Sequence, residues 1–391
     1  MLPKRLSPSS YFYYSMKRAF PIYLSVLALC ACAGQQQWDM ADKNVTQETK
    51  ALYSNMIGMQ GESVMFGHQD DTSYGIGWMD DSGQSDVRSV AGDYPAVYGW
   101  DMGHIETGSK SNIDKVPFAQ MREHMIQAFE RGGVNTLSWH LQNPLTGGSS
   151  WDVSSNGVVS SILPNGEKHG LFIQWLDALA DFIASLKTAD GTAVPILFRP
   201  YHEHTGSWFW WGKTLCSKED YISLWHFTVH YLRDTKNLHN ILYVYSPDFV
   251  EDEQAYFDRY PGDEYVDVLG LDFYHRDGEA KAQEYIANVQ RILEMLHNST
   301  MRKGKPYVFS ETGSEGIPIS DWFTRVLYKA IEPYKPVYVL LWRNAFDIPG
   351  HFYAPYPGHP SEDDFIQFKN MPDIFFQTEL PDMYIDNKEL L

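Results

Sequence analysis

The chain has 391 residues, of which 43% are hydrophobic and 21% are charged, and its formal net charge is −19 at pH 7. Its 12 Trp, 25 Tyr and 21 Phe provide enough apolar surface for a large core, which excludes a wholly disordered chain. The negative charge would repel a phosphate backbone, so a nucleic acid is not an expected partner. One large domain is allowed, because barrels of alternating strands and helices use about 250 to 400 residues.

The first 32 residues are predicted to be a signal peptide with a lipobox. Basic residues precede a short apolar run at residues 19–29, the pattern of a secretory signal. The sequence Leu-Cys-Ala-Cys at 29–32 resembles a bacterial lipobox, which predicts a lipid anchor on Cys32; ordinary cleavage near Ala33 is the alternative. We therefore expect a protein secreted across the inner membrane and anchored in the bacterial envelope, either in the periplasm or at the cell surface.

Beyond this segment, residues 33–50 are predicted to be a polar tether and residues 51–391 a single domain. Cys216 is the only cysteine after Cys32, so no internal disulfide is expected in that domain. No later stretch reaches the roughly 18 apolar residues of a membrane-spanning helix, so membrane attachment would occur only through the N-terminal anchor.

Short β-rich runs alternate with amphipathic segments along the domain. Several are apolar almost throughout, for example residues 194–198 and 337–341, as expected for parallel strands covered on both faces. Helical spacing of apolar residues lies between them, at residues 172–186 and 286–296. The eight predicted strands are residues 63–68, 95–101, 134–140, 194–203, 241–248, 266–274, 306–312 and 337–344. Eight such units predict a closed (β/α)8 barrel of the TIM type, with a doubly wound open sheet as the alternative.

Polar residues gather where these strands end, which is where barrels of this kind carry their active sites. Glu203 follows strand four and Glu311 follows strand seven, so their side chains can face each other across the barrel mouth. Hydrolysis of a glycosidic bond needs such a pair of carboxyl groups. The aromatic surroundings of Glu203 suit a protonated acid, whereas Glu311 is expected to be held charged by Tyr274 or Arg199.

Aromatic residues are the second signal, because flat faces of sugar rings stack on indole rings. Trp208, Trp210 and Trp211 follow Glu203 so closely that they cannot all be buried easily, and Trp342 ends strand eight as a candidate sugar platform. Five acidic residues could bind sugar hydroxyls or, equally, cap a helix: Asp70, Asp71, Asp101, Glu106 and Asp248.

Histidines offer a different interpretation, a metal-dependent hydrolase. His202 and His204 would share one strand face, and further histidines end other strands: His68, His140 and His275. Four ligands cannot be identified from the spacing, so we expect no metal site. Nucleotide-binding glycine motifs and the Gly-x-Ser-x-Gly elbow are absent from the sequence, and no cofactor is expected.

Taken together, these motifs resemble glycoside hydrolase family 26, the β-mannanases. The most specific segment is residues 199–212, Arg-Pro-Tyr-His-Glu-His-Thr-Gly-Ser-Trp-Phe-Trp-Trp-Gly, and matching segments occur at residues 66–70, 272–274, 309–311 and 342–343. The resemblance covers about residues 60 to 350 and implies a (β/α)8 fold and a retaining mechanism. It also implies that Glu203 is the acid/base and Glu311 the nucleophile.

By the same resemblance, seven further residues surround the reacting sugar: His140, His202, Trp208, Asp272, Tyr274, Trp342 and Arg343. Tyr274 would contact the nucleophile, and His202 would contact sugar hydroxyls. The expected activity is that of a monomeric retaining endo-1,4-β-mannanase acting on β-mannan polysaccharide or manno-oligosaccharides. Two alternatives remain open: an exo-acting enzyme of the same family that releases mannobiose, and a non-catalytic glycan-binding lipoprotein.

Overall fold

The structure is a computed structural model that describes residues 40–80 and 83–386. The predicted signal peptide, the lipobox with Cys32 and the first part of the predicted tether lie outside these residues. Within the described ranges, no helix is both long and apolar enough to cross a membrane.

Eight parallel strands form a closed barrel, which confirms the predicted fold. Each strand pairs with the next one along the chain, and the ring closes where the last strand pairs with the first, with Phe66 opposite Val339. The strands are β1 (Val64–Gln69), β2 (Val97–Asp101), β3 (Val134–Ser138), β4 (Ile196–Arg199), β5 (Ile241–Tyr245), β6 (Val268–Asp272), β7 (Tyr307–Thr312) and β8 (Tyr338–Leu341).

Helices lie before the first barrel strand, in the connections between the strands and after the last one. Polar side chains cap several of their first turns; the Ser217 hydroxyl, for instance, accepts a hydrogen bond from the Asp220 amide. The helices are α1 (Gln47–Met59), α2 (Asp86–Ala91), α3 (Phe118–Glu130), α4 (Val158–Ile162), α5 (His169–Ser185), α6 (Lys218–His230), α7 (Glu253–Phe257), α8 (Ala282–Lys303), α9 (Tyr328–Ile331) and α10 (Glu362–Lys369). Short π-helical turns follow α6 and precede α9.

Strand residues alternate between two apolar clusters. Phe66 packs outward against Phe365 and Phe368 of α10, whereas its neighbour Met65 belongs to the cluster that fills the barrel. The inner cluster also contains Leu52, Tyr53, Met56 and Met59 of α1. Helix α1 therefore contributes its apolar face to the barrel core.

The tether prediction is wrong for the part of it that the structure describes. Helix α1 begins at Gln47, and the Ala41 amide donates a 2.7 Å hydrogen bond to buried Asp267. Residues 40–50 are thus held on the barrel, because the apolar residues that follow draw this segment into the core.

The last described residues wrap the barrel wall. A short strand, Ile374–Phe375, pairs with the start of β1, and Phe376 stacks on Phe66 with ring centroids 4.7 Å apart. Asn55 of α1 donates side-chain hydrogen bonds to the carbonyls of Met383 and Ile385. The two ends of the described chain are therefore tied to each other.

Strand β4 is shorter than predicted, and this changes the setting of Glu203. The strand ends at Arg199, and Pro200, which has no N–H to donate, follows it. Tyr201 and Glu203 then adopt left-handed backbone conformations, with φ of 48° and 51°. Glu203 consequently lies in a loop and not on the strand.

Candidate active site

A cavity of about 740 Å³ opens at the carboxyl ends of the strands. Both glutamates singled out in the sequence line it, together with five of the seven predicted sugar-binding residues: His140, His202, Trp208, Tyr274 and Trp342. A second cavity of about 430 Å³ adjoins the first, and the two share Tyr274, Arg276 and Trp342 in their walls. The site is therefore an extended groove in which a chain of several sugars has room.

Glu311 is held by strand β7 and by two side chains. The Tyr274 hydroxyl donates a 2.7 Å hydrogen bond to Glu311 Oε1, and the Arg199 guanidinium donates to Oε2. Its own carbonyl accepts a hydrogen bond from the Phe273 amide at 3.0 Å. The structure thus contains both side-chain contacts that the sequence analysis expected for this residue.

Arg199 links Glu311 to a second buried carboxylate, that of Asp272. The guanidinium is 2.5 Å from Asp272 Oδ2, and the hydroxyls of Ser246 and Ser310 also donate to this carboxylate. Burial disfavours the charge of Arg199, but the carboxylates of Asp272 and Glu311 outweigh it and raise the pKa of the guanidinium. Burial raises the pKa of Asp272 to about 8, although Arg199 and the two serine hydroxyls oppose this shift. Arg199 therefore remains a cation that is paired with two buried carboxyl groups.

Glu203 has a different environment, set by the loop that follows β4. Its amide donates to the Ser246 carbonyl at 2.9 Å, and the Trp208 indole N–H donates to its carboxylate at 2.6 Å. Burial raises the pKa of Glu203 well above its usual value, and the negative charges of Glu311, Asp272 and Asp248 raise it further. A proton is thus available on Glu203 beside the ion-paired Glu311.

Two histidines form part of the cavity wall, and their pKa values are shifted in opposite directions. His140 Nδ1 is 2.7 Å from the Asp101 carboxylate; burial disfavours its proton, but Asp101 outweighs burial and raises the pKa of His140. His202 lies edge-on to His140, with ring centroids 4.5 Å apart. Burial and the charge of Arg199 lower its pKa well below the usual value, so His202 is neutral and suited to exchanging hydrogen bonds with hydroxyl groups.

Exposed indoles flank the groove. Trp208 is 40% exposed and Trp151 is 51% exposed, whereas Trp210 and Trp211 are buried in the core. Trp151 stacks on His140 with ring centroids 5.1 Å apart and an interplanar angle of 16°. Trp151 was not predicted to lie at the groove. The sequence feature that could have indicated it is a lone tryptophan in a glycine- and serine-rich loop.

Two of the residues predicted to bind sugar do not line the cavity. Asp272 is fully buried, and its carboxylate pairs with Arg199 and accepts hydrogen bonds from two serines. Arg343 instead pairs with buried Asp114, with 3.0 Å between Nε and Oδ1. In this geometry Asp272 supports Glu311 and does not reach a ligand in the groove, because no part of its side chain is accessible.

Of the five acidic residues proposed to bind hydroxyls or cap helices, only Asp248 lines the groove. Asp70 accepts a hydrogen bond from Tyr74, and Asp71 accepts one from His68. Asp101 accepts one from His140, and Glu106 accepts one from Trp139. They fix the loops around the barrel mouth. Ten further residues that line the first cavity were not predicted to bind sugar: Phe209, Phe273, His275, Arg276, Asp277, Lys281, Glu284, Tyr285, Asn288 and Trp151.

The histidines do not converge as the metal interpretation required. His202 faces the groove, whereas His204 is buried between Tyr221 and Tyr245, at ring-centroid distances of 4.5 and 4.8 Å. His202 and His204 do not share a strand face as expected, because both residues lie in the loop beyond β4. In the described part of the chain, no three His, Cys, Asp or Glu side chains are grouped so that they could hold a metal ion.

Comparison with known proteins places this groove in a family. Residues 41–314 match the model of glycosyl hydrolase family 26. A mannan endo-1,4-β-mannosidase of Bifidobacterium adolescentis is 39% identical over 285 residues, which are 71% of this chain but 28% of that protein. The chain thus spans less than a third of that relative. A second one, of Bacillus subtilis, is 32% identical over 66% of this chain and 68% of its own length.

Solved structures agree with this assignment. A GH26 β-mannanase from Bacteroides ovatus superimposes with a TM-score of 0.84 at 48% identity, covering 87% of this chain and 98% of that one. The family match spans strands β1 to β7 with Glu203 and Glu311, and it ends before β8. The chain therefore belongs to glycosyl hydrolase family 26, a family of glycoside hydrolases.

Proposed function

We propose that this protein is an endo-1,4-β-mannanase that cleaves β-1,4-mannosidic bonds in mannan, galactomannan or glucomannan with retention of configuration. The observation that carries the proposal is the pair of carboxyl groups in one groove. Glu311 has a cationic partner in Arg199, whereas burial and neighbouring charge raise the pKa of Glu203. The relatives that are named mannan endo-1,4-β-mannosidases support the choice of substrate.

In the first step, Glu311 acts as the nucleophile. Its carboxylate attacks C1 of a mannosyl unit while the C1–O bond to the next sugar breaks, and Glu203 gives its proton to the departing oxygen. Tyr274 and Arg199 keep the attacking carboxylate in place, and the raised pKa of Glu203 keeps the required proton available.

In the second step, Glu203 is a carboxylate and acts as the base. It takes a proton from water, which attacks C1 of the covalent mannosyl-enzyme and releases Glu311. The two inversions give a product of β configuration. Neutral His202 and the indoles of Trp208 and Trp342 line the groove and are proposed to bind the sugars on either side of the cleaved bond. The proposed mechanism uses no metal or cofactor.

We also propose that the protein acts as a monomer, lipid-anchored at Cys32 in the bacterial envelope. The support is the basic and apolar pattern of residues 1–32 with its lipobox-like sequence. Mass spectrometry of the N-terminal peptide from membrane fractions tests this, with Cys32→Ala as the control. An unlipidated N-terminus near Ala33 in the wild type would contradict it.

The function is tested with purified protein and defined substrates. We expect reducing-sugar release from linear mannan, products of mixed length from mannohexaose at early times, and a β-anomer as the first product detected by NMR. Mannobiose alone would indicate exo action, and an α-anomer would contradict the double displacement. Binding to mannan without release of sugar would leave only a glycan-binding protein.

A further inference from the structure

Arg259 is a buried cation outside the groove, located after α7 in the connection between β5 and β6. Its side chain is 2% exposed and lies over the Tyr221 ring, 4.4 Å from the centroid. All the hydrogen bonds found for its guanidinium end on one segment, residues 204–217. They reach the carbonyls of His204, Trp211, Cys216 and Ser217 and the Sγ atom of Cys216.

That segment begins one residue after Glu203 and includes Trp208, which donates to the Glu203 carboxylate. Nη1 of Arg259 contacts the His204 carbonyl at 2.9 Å and the Trp211 carbonyl at 3.3 Å. The two carbonyls flank Trp208 in sequence, so one guanidinium nitrogen fixes both sides of the turn that carries it.

The loop needs such support because its backbone is unfavourable on its own. Tyr201 and Glu203, neither of them glycine, have φ of 48° and 51°, a region that side chains with a Cβ rarely adopt. Other main-chain groups are also tied to the scaffold: the Tyr221 hydroxyl donates to the Tyr201 carbonyl, and the Trp211 indole donates to the His202 carbonyl. Arg259 is the charged member of this set.

We propose that Arg259 is a positioning residue for acid/base catalysis: it holds the loop of residues 203–217 so that Glu203 and Trp208 keep their geometry. The inference rests on the proposed role of Glu203. A planar, forked guanidinium can bind several carbonyls at once, which a lysine ammonium or an apolar side chain cannot do in the same way.

The test compares two substrates in the full-length protein. Mannohexaose has a poor leaving group and needs the acid, whereas an activated aryl β-mannobioside with added azide needs neither the acid nor the base. For Arg259→Met we expect kcat on mannohexaose to fall by about 10-fold to 100-fold, the scale at which small misplacements affect catalysis, with little change on the aryl substrate.

Two further variants complete the experiment. Arg259→Lys keeps the charge and is expected to give a smaller loss with the same substrate pattern, and it replaces the Met variant if that protein does not fold. Arg302→Met is the matched control, because it removes a largely exposed guanidinium that pairs with Glu253 of α7 and should leave both activities unchanged.

Equal losses on the two substrates, or no loss on mannohexaose, would overturn the role of Arg259. Glu203→Ala separates this outcome from a failure of the proposed function. If Glu203→Ala itself lacks the leaving-group dependence, the assignment of Glu203 fails; if it shows the dependence while the Arg259 variants do not, only the present inference fails.

Discussion

The two glutamates of the groove are held in different ways. Glu311 belongs to strand β7, its carbonyl accepts a hydrogen bond from the Phe273 amide just after β6, and its carboxylate contacts Arg199 and Tyr274. Glu203 lies beyond the end of β4, in a loop with a left-handed backbone, and its carboxylate accepts a hydrogen bond from Trp208 of the same loop.

This difference matches two chemical tasks. A nucleophile must stay charged and aligned, which a strand and a fixed cation provide. An acid/base must hold a proton in one step and lose it in the next, which requires a raised pKa that responds to nearby charge. In the proposed mechanism Glu311 changes from a carboxylate to an ester, so its charge disappears and the pKa of Glu203 is expected to fall, which suits the basic role.

The largest effect is expected from Glu311→Ala. Without the nucleophile no covalent intermediate forms, and turnover on mannan should fall by about 10⁵-fold or more, the scale seen when enzymes with covalent intermediates lose their nucleophile. Steady-state rates measure this, with circular dichroism to show that the variant is folded. A folded variant with activity near that of the wild type would contradict the assignment.

Glu203→Ala should have the next largest effect, and one that depends on the substrate. We expect a loss of about 10²-fold to 10⁴-fold on mannohexaose, the usual contribution of a general acid. With an activated aryl mannobioside, added azide should restore part of the rate and yield a β-mannosyl azide. The same azide treatment should not rescue Glu311→Ala in this way, and equal rescue of both variants would remove the distinction between the residues.

Arg199→Met tests the support beneath Glu311. It leaves the buried carboxylates of Asp272 and Glu311 without their cation, so the free energy of unfolding should fall by about 3–5 kcal/mol, as for other broken buried ion pairs. Urea denaturation measures this. The control is Lys218→Met, whose ion pair with Asp258 is about half exposed and should contribute at most about 1 kcal/mol. Similar losses of unfolding free energy in both variants would contradict a stabilising role of the buried ion pairs of Arg199.

The smallest effects are opposite shifts of the alkaline limb of the kcat/KM profile. Burial raises the pKa of Asp248 to about 6, and above that pH its charge raises the pKa of Glu203. Asp248→Asn should therefore move the limb to lower pH. Trp208→Phe removes a hydrogen bond that lowers the pKa of Glu203 and should move the limb to higher pH. Shifts of the same sign in both variants would contradict this description of Glu203.

Much of this arrangement could be predicted from the sequence because its signals are local. A buried parallel strand is a short apolar run, so all eight strands were predicted, and both glutamates lie at or just beyond the ends of such runs. The contacts of Glu311 with Tyr274 and Arg199 were also expected, since all three residues end strands at the same barrel edge.

What could not be predicted depends on contacts between distant segments. The stacking of Trp151 on His140 and the bonds from Arg259 to the Glu203 loop arise from loop conformations that no periodicity encodes. For the same reason strand β4 was predicted to extend to Glu203, and the first residues of α1 were predicted to belong to a tether.

The most direct test of the central claim is to trap the covalent intermediate. A 2-deoxy-2-fluoro mannoside with a good leaving group slows both steps, so a mannosyl-enzyme should accumulate, and peptide mass spectrometry should locate the label. We expect a label on Glu311 in the wild type and in Glu203→Ala, and none in Glu311→Ala. A label on Glu203, or turnover without any labelled enzyme and with an α-anomer as product, would contradict it.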